Sequence, residues 1–204
     1  MQDRDIAKKM ATPIDIQTNA FCAAGMHLPN GSYAVFGGNG AIGPGGNNSA
    51  SGSSPAFDPI YRDYDGTRAI RIFNPCDENG SCLFYDNNTQ LAKKRWYPSA
   101  EPMADGTVVI IGGFSLGGYI NRNYPNIDPA YEGGAAEPTY EFYPAGSHPF
   151  PGGSQSPPIL NFMANTSGLN AYALSYLMPS GKMFVQANFS TSEVHLILHI
   201  GSFH

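Results

Sequence analysis

Cys22 and Tyr97 are the residues of this chain whose types and placement combine into a chemistry. Cys22 closes the run Asn19-Ala20-Phe21-Cys22, and Tyr97 sits at the centre of Arg95-Trp96-Tyr97-Pro98-Ser99. Each run directly precedes a copy of one local pattern, so the two residues occupy equivalent places in successive repeats. In a circularly repeated fold they stand at one height on neighbouring innermost strands, where a thiol and a phenol meet near the axis. Ordinary uses remain open on this reading. A lone Cys is among the most buried residue types, and a core Tyr needs only one partner for its hydroxyl.

The elements that must position them are legible in the same repeats. An apolar residue, a short turn ending in Gly and a strand of β-branched or aromatic residues occur three times: Leu28 through Gly38, Met103 through Gly113, and Met178 through Asn188. The three copies align residue for residue, with the turn glycines Gly31, Gly106 and Gly181 spaced 75 residues apart. Pro or Ala, then Asn, Asp or Ser, then Gly is the chemistry of a turn between antiparallel strands, because Gly accepts the positive φ that other residues resist. The double Gly after the first two strands suits close backbone approach at a strand end near a ring centre. Hairpins at intervals with little helical pattern between them point to a repeated all-β architecture. The repeat is longer than one propeller blade of ~40–50 residues, so long loops are inserted. The Gly, Ser, Asn and Pro-rich tracts 40–64 and 117–134 are the candidates for shaping a binding face.

Composition sets the outer limits. With 24 Gly and 17 Pro in 204 residues, a helical bundle is excluded, while 42% hydrophobic and 13% charged residues specify a packed core. A net charge of −5 supplies no basic stripe, which argues against nucleic acid or an anionic membrane as partner. The apolar runs 108–111 and 196–200 are far shorter than the ~20 residues that span a bilayer. The opening MQDRDIAKKM has no apolar stretch of a secretory signal, yet six Asn-X-Ser/Thr sequons and the pair Cys76 and Cys82 inside NPCDENGSC look extracellular.

Four stretches taken in order, NAFCAAGMHLPNGSYAVFGGNGAIGPGG, AIRIFNPCDENGSC, RWYPSAEPMADGTVVIIGG and LNAYALSYLMPSGKMFVQANFS, closely resemble the glyoxal oxidase family of fungal copper radical oxidases, with galactose oxidase a more distant relative. The resemblance runs from Thr12 to Ser190. It implies a kelch-type β-propeller, incomplete here at about three to four blades of a presumed seven. Residues 1–11 would be an extension without a signal peptide, 12–190 the amino-terminal propeller region, and 191–204 a divergent tail that reads as a truncation artefact. The resemblance further implies that Cys22 is joined to the Tyr97 ring by a thioether, that the pair forms a radical cofactor, and that the Tyr97 oxygen is a copper ligand. Small aldehydes or alcohols and dioxygen would be the substrates, hydrogen peroxide a product, and the location extracellular. Cys76 and Cys82 would form a disulfide, the alternative being two reduced loop thiols in a cytosolic chain.

The family completes its copper site with a Tyr-His pair and a further His. This chain has no Tyr-His dipeptide, and His27, His148, His195, His199 and His204 match none of those contexts. Little or no turnover is therefore expected of this polypeptide alone. The alternative is a non-catalytic kelch-like module that binds carbohydrate or protein through its long loops. Asp63 and Asp65 before Gly66 read as a turn sooner than as calcium ligands, and Trp96 either shields Tyr97 or packs in the core. His195 and His199 are four apart but lie in a stretch that reads as strand or unrelated tail.

An unclosed propeller exposes sheet edges and one face of its core, so the isolated chain is expected to be unstable or to self-associate. Sedimentation and thermal scans check this. A monodisperse monomer with a sharp, reversible transition contradicts it.

Overall fold

The structure, a computed structural model, describes residues 2–5, 7–46, 56–76, 82–115, 136–165, 171–187 and 191–195. Strands dominate. In chain order they are β1 (Gln2–Asp5), β2 (Met10–Pro13), β3 (Ala24–His27), β4 (Tyr33–Phe36), β5 (Phe57–Asp58), β6 (Asp63–Tyr64), β7 (Ala69–Asn74) and β8 (Leu83–Gln90). There follow β9 (Ser99–Pro102), β10 (Val108–Ile111), β11 (Tyr140–Tyr143), the single-turn helix α1 (Asn161–Ala164), β12 (Leu174–Leu177), β13 (Met183–Gln186) and β14 (Ser192–His195). Three antiparallel sheets result, ordered β3-β4-β7-β8, β9-β10-β11 and β12-β13-β14, with the ribbons β1-β2 and β5-β6 beside them. The first strands of the three sheets lie next to one another, β3 beside β9 and β9 beside β12. Among the described residues the sheets do not close into a ring.

The three repeats fold identically because their turns do. Gly31, Gly106 and Gly181 have φ of 85°, 86° and 76°, and each donates its N–H to the residue three earlier, Leu28, Met103 and Met178, at 2.9, 3.0 and 2.9 Å. In the first two turns Asn30 and Asp105 also accept from the backbone two residues on, at 3.1 and 3.0 Å. The turns fix the registers: His27 faces Tyr33, Pro102 faces Val108 and Leu177 faces Met183.

Packing explains why Val108-Val109-Ile110-Ile111 is apolar at every position. Alternate side chains leave opposite faces of a strand, and both faces of β10 are covered. Val108 and Ile110 pack with Ala34, Phe36, Ile70, Ile72 and Leu91 of the first sheet and its exit loop. Val109 and Ile111 pack with Leu160, Met163, Met183 and Val185 on the other side. Each such side chain contributes about 1.5–3 kcal/mol on burial, and together they hold the second sheet between its neighbours.

Two arginines, both fully buried, tie the site segments to these sheets. Arg71 on β7 donates to the carbonyl oxygens of Gly37 and Asn19 at 2.7 and 3.0 Å and to Thr18 Oγ1 at 2.7 Å. Burial lowers its pKa to about 10 against the opposing pull of Asp86 and Asp63, which leaves it charged at neutral pH. Arg95 donates to Glu141 Oε1 at 2.8 Å, to the Gly112 carbonyl at 2.8 Å and to the Thr139 carbonyl at 3.0 Å. The double glycines answer to the same crowding. A Cβ on Gly38 would lie 2.1 Å from the Asn19 oxygen, and one on Gly113 would lie 2.8 Å from the Trp96 oxygen.

Tract 40–64, read from the sequence as a loop, carries the ribbon β5-β6. Its Phe57 and Tyr64 rings lie 4.3 Å apart, and Asp58 caps Ile60 and Tyr61. Tract 117–134 lies outside the described residues. Ser192–His195, set apart by sequence in the divergent tail, pairs with β13 as the outer strand of the third sheet. Asp65 accepts from the Thr67 N–H two residues on and closes a turn, whereas Asp63 accepts from Asn19 Nδ2 and the Ile42 N–H and ties two distant segments together. Cys76 and Cys82 are joined as a disulfide.

Glu141→Ala strands the buried Arg95 charge and is expected to cost about 3 kcal/mol, whereas Arg95→Met with Glu141→Leu costs less because no uncompensated charge remains. Denaturant unfolding of the three proteins checks the order.

Candidate functional site

The site is built on three residues at the entry to the first strand of each sheet. Cys22, Tyr97 and Tyr172 all take left-handed backbone, with φ of 59°, 60° and 46°, a conformation that non-glycine residues enter at a cost and keep only where the surroundings demand it. The demand is a relay of hydrogen bonds between repeats: the Tyr97 N–H donates to the Cys22 carbonyl at 3.0 Å, and the Tyr172 N–H donates to the Tyr97 carbonyl at 2.8 Å. The second and third turns each aim one backbone N–H at the preceding repeat, and the side chains follow.

Supports hold the segments in place from behind. The Asn19 N–H donates to the Tyr64 carbonyl at 2.9 Å, and Trp96 exchanges backbone bonds with Phe114 at 2.8 and 2.7 Å. Asn19 is also gripped by Arg71 through its carbonyl, while the Arg95 carbonyl accepts from Gly38 at 3.0 Å. The two arginines thus bracket the runs that end in Cys22 and Tyr97.

The side chains form one cluster. The Tyr97 ring lies between Trp96, at 4.3 Å and 62°, and Tyr172, at 4.9 Å and 83°. Both flanking rings meet the Tyr97 ring edge to face, a favoured aromatic arrangement. Cys22 is a free cysteine, half-buried, and its hydrogen bond with Tyr97 is the leading reason the Tyr97 phenol is held above its ordinary value, ahead of burial. The Tyr172 phenol is pushed up to about 12, first by burial and then by the charges available to Cys22 and Tyr97 and a hydrogen bond with Cys22. The Tyr172 hydroxyl donates to the Ala23 carbonyl at 3.4 Å. Beyond the cluster, between the first strands of the three sheets, opens a cavity of about 480 Å³ edged by Ala23, Pro98 and Tyr172. Glu101 faces it with its carboxyl raised by burial.

The structure therefore brings Cys22 and Tyr97 together and adds Tyr172, which sequence reasoning did not single out. The signal was present, since counting 75 residues on from Cys22 and Tyr97 lands on Tyr97 and Tyr172 in turn. His27 packs against Tyr33 at 5.0 Å, and His148 pairs with Asp105 at 2.9 Å. His199 and His204, and the side chain of His195, lie outside the described residues.

Copper, which the sequence resemblance implies, asks for nitrogen and oxygen donors in a tetragonal arrangement. Among the described residues, the donors gathered here are two phenols and one sulfur, with no imidazole beside them and no group of three His, Cys, Asp or Glu that could hold a metal. That set alone does not fit Cu(II). What it does supply is a thiol in reach of an electron-rich ring.

No family model matches the chain. It is similar to two curated plant proteins: 26% identical over 185 residues to "Aldehyde oxidase GLOX" of Vitis pseudoreticulata, covering 90% of this chain and 26% of that protein, and 27% identical over 177 residues to "Putative aldehyde oxidase Art an 7" of Artemisia annua, covering 86% of this chain and 23% of that protein. The chain thus spans about a quarter of the length of the relatives it matches. The likeness is to proteins named as aldehyde oxidases, carried on a nearly all-β chain.

A phenol whose folded pKa is raised adds stability below the pKa of the unfolded phenol and loses it as pH climbs through the folded value. Tyr97 and Tyr172 both fall in this case. Stability is expected to decline between pH about 10 and about 12, and phenolate absorbance near 295 nm is expected to show a late-titrating group. Tyr172→Phe removes that last step and flattens the decline. An unchanged titration curve in this variant contradicts the assignment.

Proposed function

We propose that the chain forms part of a copper radical oxidase of the glyoxal oxidase kind, acting outside the cell on small aldehydes or alcohols with dioxygen and releasing hydrogen peroxide. In this reading its three sheets are blades of a kelch-type propeller. Cys22 and Tyr97 are the protein-derived redox pair, joined through a thioether. The observation that carries the reading is the backbone hydrogen bond from the Tyr97 N–H to the Cys22 carbonyl at 3.0 Å, which sets the two residues side by side at the entries to the first and second sheets, with Cys22 the leading cause of the raised Tyr97 phenol. The names of the relatives point the same way.

The residue types suit the role. A sulfur attached beside the phenol oxygen spreads an unpaired electron over ring and sulfur, lowers the potential of tyrosine oxidation and locks the ring in place, so that the protein tunes a cofactor made from its own side chains. Trp96 covers one side of that ring. Copper would supply the second one-electron acceptor when bound. The donors that complete a copper centre lie outside the set gathered here, so the proposed activity belongs to a larger assembly of residues than the described cluster.

The test is peptide mapping of protein expressed with copper, after full reduction. A thioether persists under reduction and leaves the joined Cys22 and Tyr97 peptides lighter by two hydrogens, whereas the Cys76–Cys82 disulfide opens. Cys22→Ala and Tyr97→Phe are each expected to abolish the joined peptide. A fully alkylatable Cys22 in the copper-grown protein, combined with glycan binding, contradicts the oxidase reading in favour of a binding module.

A further inference from the structure

Tyr172 meets the Tyr97 ring and the backbone directly after Cys22, and has no part in the thioether itself. It is the repeat-equivalent of Cys22 and Tyr97, with the same left-handed backbone, and its ring edge meets the Tyr97 ring at 4.9 Å and 83°. Its hydroxyl reaches the carbonyl of Ala23, directly after Cys22, at 3.4 Å. The cavity between the first strands begins at Tyr172, Ala23 and Pro98, the last two being the residues that follow Cys22 and Tyr97. Tyr172 therefore stands between the pair and the cavity whose rim begins at the residues next to them.

We propose that Tyr172 is a positioning residue for the Cys22–Tyr97 pair, holding the sulfur against the Tyr97 ring and closing it off from the cavity. The inference rests on the thioether reading above and says what makes the linkage selective. Joining the pair breaks the Cys22 S–H bond and one ring C–H bond beside the Tyr97 oxygen and forms one S–C bond. Two electrons pass to a one-electron oxidant acting twice, and two protons pass to water. The competing fate is oxygenation of the sulfur to sulfenic and then sulfinic acid, which follows exposure of the thiol. The Tyr172 ring edge against Tyr97 and its hydroxyl on the Ala23 carbonyl fix the two entry turns relative to each other, which favours the first route.

The experiment uses the metal-free chain and supplies the oxidant directly: brief illumination with a ruthenium tris-bipyridine complex and persulfate, which takes up the two electrons and ends as two sulfate ions. Digestion and mass analysis then give the ratio of Cys22–Tyr97 joined peptide to oxygenated Cys22. In the unsubstituted chain the joined peptide is expected to predominate. Tyr172→Ala is expected to lower the ratio at least about tenfold, within the ~10²-fold that misplacing a reacting group can cost, and Tyr172→Phe, which keeps the ring edge, to restore most of it. A ratio in Tyr172→Ala equal to that of the unsubstituted chain overturns the proposal. Absence of any joined peptide in the unsubstituted chain overturns the thioether reading itself, and the proposal with it. Should Tyr172→Ala lose its cooperative thermal transition, Tyr172→Leu fills the space without a ring edge and carries the same expectations.

Discussion

Two backbone hydrogen bonds, from the Tyr97 N–H to the Cys22 carbonyl and from the Tyr172 N–H to the Tyr97 carbonyl, govern what this molecule can do. They are bonds between repeats rather than within a sheet, and they oblige each repeat to enter its first strand through a left-handed residue. None of the three is a glycine, so each position carries a side chain that the turn throws toward its neighbours. Without the relay there would be three similar hairpins. With it, one thiol and two phenols share a single place.

Such strained entries persist only where the rest of the structure over-determines them. Here that work falls to the buried arginines, which reach carbonyl oxygens on either side of the entry runs, and to Gly38 and Gly113, where any side chain would push the runs away. The arginines differ in their balance. Arg95 is matched by the nearly buried Glu141 at 2.8 Å, while Arg71 answers mostly to neutral carbonyl and hydroxyl oxygens, with Asp86 at 3.6 Å. Charge-assisted bonds of this kind are stronger than neutral ones, and a planar guanidinium satisfies several carbonyls at once. Apolar packing on both faces of β10 then fixes the sheets that carry them.

Much of this was legible in the sequence where turn chemistry wrote it. The Asn-Gly, Asp-Gly and Ser-Gly turns announced three hairpins in one register, and the 75-residue period put Cys22 and Tyr97 in equivalent places. The same period pointed at Tyr172, but a Tyr in a run of apolar residues reads as core until its backbone is seen to be left-handed. Arg71 was not legible as a support because β7 and β8 lie outside the aligned repeat, and its partners come from residues 18 to 37. The Phe57 to Tyr64 ribbon escaped notice since two-residue strands leave no periodicity. For Cys76 and Cys82 the spacing allowed either a disulfide or free thiols, and the fold joins them.

The functional reading narrows to the contact between one sulfur and one phenol, since neither a composition nor an all-β fold fixes a chemistry. A double-mutant cycle on the metal-free protein measures that contact directly. Unfolding free energies of the unsubstituted chain, Cys22→Ala, Tyr97→Phe and the double variant are expected to show a coupling of about 0.5–1 kcal/mol, the worth of one hydrogen bond between touching side chains. Additivity to within about 0.3 kcal/mol, as for groups that do not touch, would contradict the account.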